Sequence, residues 1–118
     1  MPIELSGELG TISITHEVIA NLAGAAAMEC YGLVGMVSRN QLMDGIAELI
    51  RKENLSRGVE IRMERDAISV DLYIVVSYGV KISEVASNVQ SRVKYILREN
   101  TGLEISEVNV FIQDVRVS

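Results

Sequence analysis

The clearest pattern lies in the middle of the chain. Val59, Ile61 and Met63 alternate with Glu60, Arg62 and Glu64. After a short polar connection at Arg65 and Asp66 the alternation resumes. Ile68, Val70, Leu72, Ile74 and Val76 take one phase, and Ser69, Asp71, Tyr73, Val75 and Ser77 the other. A period of two on both sides of a short turn predicts an antiparallel hairpin with one buried face. The clearest helical pattern follows, with Ile82, Val85, Ala86, Val89, Val93, Ile96 and Leu97 on one stripe. Glu84 near its start and Arg92, Lys94 and Arg98 toward its end suit the helix dipole, and Asn100 and Gly102 supply a stop. A last strand over 105–117 carries Val108, Val110 and Ile112 in one phase, then Val115 and Val117 in the opposite one. That flip predicts a β-bulge near Gln113 and Asp114.

The first third is patterned more weakly. Residues 11–14 are β-branched enough for a short strand. Thr15 then reads as the N-cap of a helix over about 16–29, with Glu17 in its first turn and Val18, Ile19, Leu22, Ala23 and Ala26 as its apolar stripe. Gly32 follows that helix. Leu33 to Val37 reads as a strand in which Gly35 marks a bulge or a close backbone approach. Residues 41–53 place Leu42, Ile46, Leu49 and Ile50 on one helical stripe, with Gly45 inside it costing about 1 kcal/mol relative to alanine. The expected order is β-α-β-(α)-β-β-α-β. It predicts an α+β two-layer sandwich, with an about five-stranded mixed sheet, helices on one face and the other face open. Residues 1–118 form one domain on this reading.

Composition narrows the chemistry. The chain has 118 residues, with one Cys, one His and no Trp. One Cys excludes an intrachain disulfide framework, and one of each excludes a zinc site built from several Cys and His of a single chain. The formal charge of −5 is spread evenly: residues 1–59 carry 4 positive and 7 negative groups, and residues 60–118 carry 7 and 9. There is thus neither a basic arm nor an acidic tail, and the global field opposes nucleic acid. Met1 to Gly10 lacks the basic and apolar regions of a secretory signal, and no apolar run approaches the ~20 residues of a membrane span. The expected location is the cytoplasm.

Candidate catalytic groups do not assemble. His16 and Cys30 fall at opposite ends of the first predicted helix, roughly 21 Å apart at 1.5 Å per residue, so they make no dyad within one chain. There is no G-x-S-x-G, P-loop or dinucleotide fingerprint. Gly32-Leu33-Val34-Gly35 matches the G-x-x-G of KH domains, but its middle residues are apolar and it reads as a strand start. No catalytic, metal-binding or cofactor-binding residue is expected, and no cofactor.

Two surfaces remain. Tyr73, Val75 and Phe111 fall on the sheet face predicted to be open, among Ser69, Asp71, Asn109 and Gln113. Aromatics on an open sheet can stack bases, as RRM domains do, or dock a partner. The second surface is the 41–53 helix, with Leu42 and Ile46 on its apolar stripe and Arg51 and Lys52 at its basic end. It either caps the core or docks a partner.

Several segments together resemble one family. These are GTISITHEVIANLAGAAAMECYGLVGM (10–36), NQLMDGIAELIRKENLSRGVEI (40–61), DLYIVVSYGVKISEVASNVQSRVKYILRENTGL (71–103) and VNVFIQDVRV (108–117). Their order and spacing resemble the alkaline shock protein family of Gram-positive bacteria, in a compact form without long charged tails. The resemblance implies a cytoplasmic protein linked to the cell-envelope stress response, with no catalytic activity or cofactor. It also implies protein partners, such as a membrane anchor protein holding it at the inner membrane face or a kinase-like genomic neighbour. The resulting expectation is a non-catalytic interaction or scaffold protein that self-associates into a homo-oligomer. The alternative is a single-stranded nucleic-acid-binding module using the open sheet face.

Overall fold

The computed structural model describes residues 2–45, 48–50 and 52–117. The strands are β1 (Ile3–Gly7), β2 (Gly10–Ile14), β3 (Leu33–Met36), β4 (Val59–Glu64), β5 (Ala67–Ser77) and β6 (Glu107–Arg116). The helices are α1 (His16–Met28), the short α2 (Arg39–Met43), a 3-10 helix (Lys52–Gly58) and α3 (Ile82–Thr101). The molecule is an α+β sandwich.

β5 organises the main sheet. β6 runs parallel along one of its edges, from Ser69 to Ser77. The other edge is shared in succession by two antiparallel strands, β4 against residues 67–72 and β3 against 74–76. The β4–β5 turn is as short as the pattern predicts. Glu64 pairs with Ala67, and the two residues between them, Arg65 and Asp66, sit at φ 48° and 68°. Two consecutive positive φ values are the type I′ geometry that matches the right-handed twist of the flanking strands. The predicted bulge in β6 is present: Ile74 pairs with Ile112 and Val75 with Asp114, so Gln113 is the extra residue. A second register shift lies between Leu33 and Gly35.

The core lies between this sheet and the two long helices. Ile68, Val70, Leu72, Ile74 and Val76 of β5 are buried against it, as are Val85, Val89, Val93 and Leu97 of α3. Thr15 caps α1, its hydroxyl oxygen accepting the Val18 N–H at 3.3 Å. The buried face of α1 is made of Ile19, Ala20, Ala23, Gly24, Ala26 and Ala27, while Val18 is exposed and Leu22 half-buried. The helix is therefore turned from the expected stripe. Its thin side admits the 3-10 helix so closely that a Cβ on Gly24 would lie 2.9 Å from the Leu55 Cβ.

Two expectations change. The strand at 10–14 does not join the main sheet, which has four strands. It pairs instead with β1 in a separate hairpin, from Ile3↔Ile14 to Gly7↔Gly10. Only the base of that hairpin reaches the core, through Ile3 with Leu5 and Ile14, and Leu9 at its tip is fully exposed.

The single helix over 41–53 does not form either. α2 ends at Met43, and Gly45 follows at φ 79°, a left-handed conformation that stops a helix. Residues 48–50 then run beside β3, where the Ile50 N–H donates to the Met36 carbonyl at 2.8 Å. Their apolar side chains part: Leu49 fills the space over Gly35, and Ile50 lies against Gly58. A sheet edge thus receives the two residues that a helical stripe would have put together. Nothing lies within 4 Å of a Cβ built on Gly45, so only its backbone is at stake. Gly45→Ala is expected to lower stability by about 1 kcal/mol, read as a shift of the urea midpoint at unchanged slope.

Candidate interaction surface

The sheet face away from the helices is organised in rungs across β4, β5 and β6. Pairing sets Arg62 beside Ser69 and Glu107, then Glu60 beside Asp71 and Asn109, then Tyr73 beside Phe111. The hairpin register brings Arg62 and Asp71 onto a cross-strand diagonal, which a long side chain spans. Arg62 Nε donates to Asp71 Oδ2 at 2.9 Å and Nη2 to Oδ1 at 3.1 Å, a two-pronged contact. Asn109 Nδ2 donates to Asp71 Oδ1 at 2.9 Å, and the Ser69 hydroxyl to Glu107 at 3.0 Å. Arg39 of α2 pairs with Glu60 at 3.2 Å.

These contacts decide the electrostatics. Asp71 is only 7% exposed. Burial alone would push its carboxyl up, but the Arg62 and Asn109 hydrogen bonds and the Arg62 charge outweigh that and hold it below its ordinary value. Burial, then the neighbouring Glu60 carboxylate, pushes the Tyr73 phenol up.

Beyond the polar rungs the face turns aromatic. Tyr73 and Phe111 stack with ring centroids 5.0 Å apart and planes 16° from parallel. Tyr73 is half-buried, and Phe111 is 41% exposed. The third residue expected here, Val75, does not lie on a free surface, because it is fully buried. Val75 pairs with Gly35, and the Leu49 side chain covers that glycine, so residues 48–50 close this end of the face.

Of the residues expected on a 41–53 helix, Leu42 belongs to α2 and Lys52 opens the 3-10 helix, while Ile46 and Arg51 lie outside the described residues. The described elements do not join them into one docking stripe. The polar network around Asp71 was not anticipated. Its signal was the two-residue turn, which fixes the register and hence the Arg62–Asp71 diagonal.

Other chemistry is sparse. His16 begins α1 and Cys30 follows its end. Burial raises the Cys30 thiol, which disfavours the reactive thiolate. Gly32 and Gly35 form no clamp loop: Gly32 abuts Val85 and Val80, and Gly35 lies within β3. Among the described residues, no group of three or more His, Cys, Asp or Glu is placed to hold a metal ion. No described helix is long and apolar enough to cross a membrane.

The structure thus defines a small α+β domain whose distinguishing surface is an aromatic pair beside a tightly paired polar face. The chain belongs to the alkaline shock protein 23 family, described by a cell envelope-related function, whose model matches residues 4–117. It is 55% identical to the protein YloU of Bacillus subtilis (strain 168), over all of this chain and 98% of that one. It is 43% identical to the protein Spy1614 of Streptococcus pyogenes serotype M6, over 99% of this chain and 97% of that one. A stress response regulator gls24 homolog of Streptococcus pyogenes serotype M3 is 26% identical over 91% of this chain, and the match spans 59% of the longer relative. No solved structure matches.

Proposed function

We propose that this chain is a non-catalytic interaction protein of envelope-related stress physiology, acting in the cytoplasm by docking a protein partner on the sheet face around Tyr73 and Phe111. The observation that carries this reading is the stacked pair itself. The neighbouring polar groups Arg62, Asp71, Asn109 and Glu107 already bond to one another. The aromatic rung offers apolar, rigid contact area of the kind that anchors protein interfaces. The stress link rests on the family and on the gls24 relative's name. An envelope location would come through a partner, such as a membrane anchor protein. The acidic groups Glu60, Asp71 and Glu107 on the same face weigh against nucleic acid.

The test is photo-crosslinking in the native cell with a photoreactive residue at Phe111, compared with the same residue at Glu104. A discrete protein adduct is expected from the Phe111 position only. In the purified system, Tyr73→Ala with Phe111→Ala is expected to weaken binding of that protein about tenfold or more at unchanged fold. Adducts that are identical from both positions, or unchanged affinity of the double variant, would remove this surface. Salt-sensitive binding of single-stranded RNA, lost in the same double variant, would put the nucleic-acid reading in its place.

A further inference from the structure

The hairpin of β1 and β2 stands apart from the main sheet, and its two edges differ. A two-stranded ribbon is marginal in water unless further strands or a helix support it. Among the described residues no third strand pairs with this one. Its turn holds two residues, so the closing pair Gly7↔Gly10 is hydrogen-bonded. Alternation makes Leu5↔Ile12 and Ile3↔Ile14 bonded pairs as well. The backbone groups of Glu4 and Ser6 in β1, and of Thr11 and Ser13 in β2, therefore point away from the ribbon. Among the described residues none of them is bonded elsewhere. Proteins blunt such edges with charge or proline. β1 has both, Pro2 just before it and Glu4 within it. β2 has neither: from Leu9 to His16 there is no Asp, Glu, Lys or Arg. Thr11, Ile12 and Ser13 are all exposed, Ile12 by 63%.

We propose that the β2 edge pairs antiparallel with the β2 edge of a second copy, about a two-fold axis at Ile12, joining the two hairpins into one four-stranded sheet. Electrostatics single out a second copy as the occupant. The chain carries a formal charge of −5, so two copies repel wherever their acidic surfaces meet. β2 is uncharged, and its pairing with itself sets no like charges opposite each other. The register follows from the axis. Thr11 meets Ser13 of the second copy, and Ser13 meets its Thr11. These rungs join all the outward-pointing groups of β2 in four backbone hydrogen bonds, as antiparallel bonded pairs require. Their small hydroxyl side chains share one face. On the other face the two Ile12 side chains meet at the axis, each flanked by its own Leu5, and form one apolar row. Gly10 meets Ile14 of the second copy, which carries the fully exposed Leu9 toward the start of that copy's α1. Five residues a side make a small interface, so a micromolar dimer is expected rather than a permanent one. The proposal goes beyond the docking reading and does not depend on it, because the hairpin lies outside the sheet that carries Tyr73 and Phe111.

Analytical ultracentrifugation of the full chain over a concentration series tests it. The wild type is expected to form dimers as the concentration rises. Ser13→Pro deletes an amide that bonds nothing within the chain, so the hairpin keeps its own ladder while the edge is blocked. It is expected to weaken the dimer about tenfold or more. Ser6→Pro makes the same backbone change on the opposite edge and is expected to leave the dimer unchanged. A second measurement needs no proline. In a Cys30→Ala background, Ile12→Cys is expected to form a disulfide-linked dimer rapidly under mild oxidation, since facing Cα atoms at such a rung lie about 4.5 Å apart. Leu9→Cys is the control. Leu9 is more exposed than Ile12, but the two tips lie at opposite ends of the joined sheet, roughly 20 Å apart, so it is expected to cross-link slowly. A wild type that stays monomeric, equal dimerisation of the Ser13→Pro and Ser6→Pro variants, or cross-linking at Leu9 as fast as at Ile12 overturns the proposal.

Discussion

Gly32→Ala is expected to destabilise the protein by about 3 kcal/mol, which at this size lowers the melting temperature by about 10 °C. Two physical costs combine at this position. Gly32 holds φ 87°, where a Cβ crowds the backbone, at about 1–2 kcal/mol. That Cβ would also lie 2.8 Å from Val85 Cγ2 and 3.3 Å from Val80 Cγ1. Val85 is buried in α3, and a β-branched side chain in a helix has one strongly preferred rotamer, so it cannot turn aside cheaply. Gly79→Ala separates the two costs. Gly79 sits at φ 94° with nothing within 4 Å of its Cβ, so it is expected to show the backbone cost alone. Equal melting shifts for the two variants would mean that the contact with α3 contributes nothing. Urea titration with the slope compared between variants is the check.

Gly45 shows where sequence patterns carry information and where they stop. A strict period of two is a local property, so the β4–β5 hairpin and the core phase of β5 were legible. So were α3 and the bulge at Gln113, because a flip of parity has few other meanings. The 41–53 segment misled because Leu42, Ile46, Leu49 and Ile50 fit a helical stripe that the chain does not build. Gly45 in a left-handed conformation and the open edge of β3 decided otherwise, and an unpaired sheet edge is a property of the assembled fold. The hairpin of β1 and β2 did have a signal. Gly7 and Gly10 bracket two residues, and Ile3, Leu5, Ile12 and Ile14 occupy alternate positions around them.

The candidate surface was legible in part for the same reason. Tyr73 and Phe111 shared a face by parity, and the structure sets them side by side because β6 runs parallel to β5 in that register. Parity alone also put Val75 there, and it has no means of showing that residues 48–50 fold over that end of the face. Asp71 looked like a solvated strand residue. Its burial becomes tolerable only once Arg62, nine positions earlier, and Asn109, thirty-eight later, converge on it.

Asp71→Asn follows from that convergence and is expected to cost about 2 kcal/mol at neutral pH. The amide keeps the shape of the carboxylate but not its charge. It loses one acceptor oxygen of the two-pronged Arg62 contact, while Asp71 itself is 7% exposed. The half-exposed Arg62 can turn to water, so the loss falls short of that of a fully buried ion pair. The pH dependence gives the signature. The folded state holds Asp71 below the ordinary carboxylate value near 3.9, so its stabilisation is fully present above that value. It is lost as pH falls through the lower folded-state value. The wild type is therefore expected to exceed Asp71→Asn in stability at pH 7 and to approach it steadily below about pH 4. Urea titrations of both proteins across that range measure the gap. A gap that stays constant on acidification would mean that Asp71 is not ionised in the folded protein, and that shape rather than charge holds the rung next to Tyr73 in place.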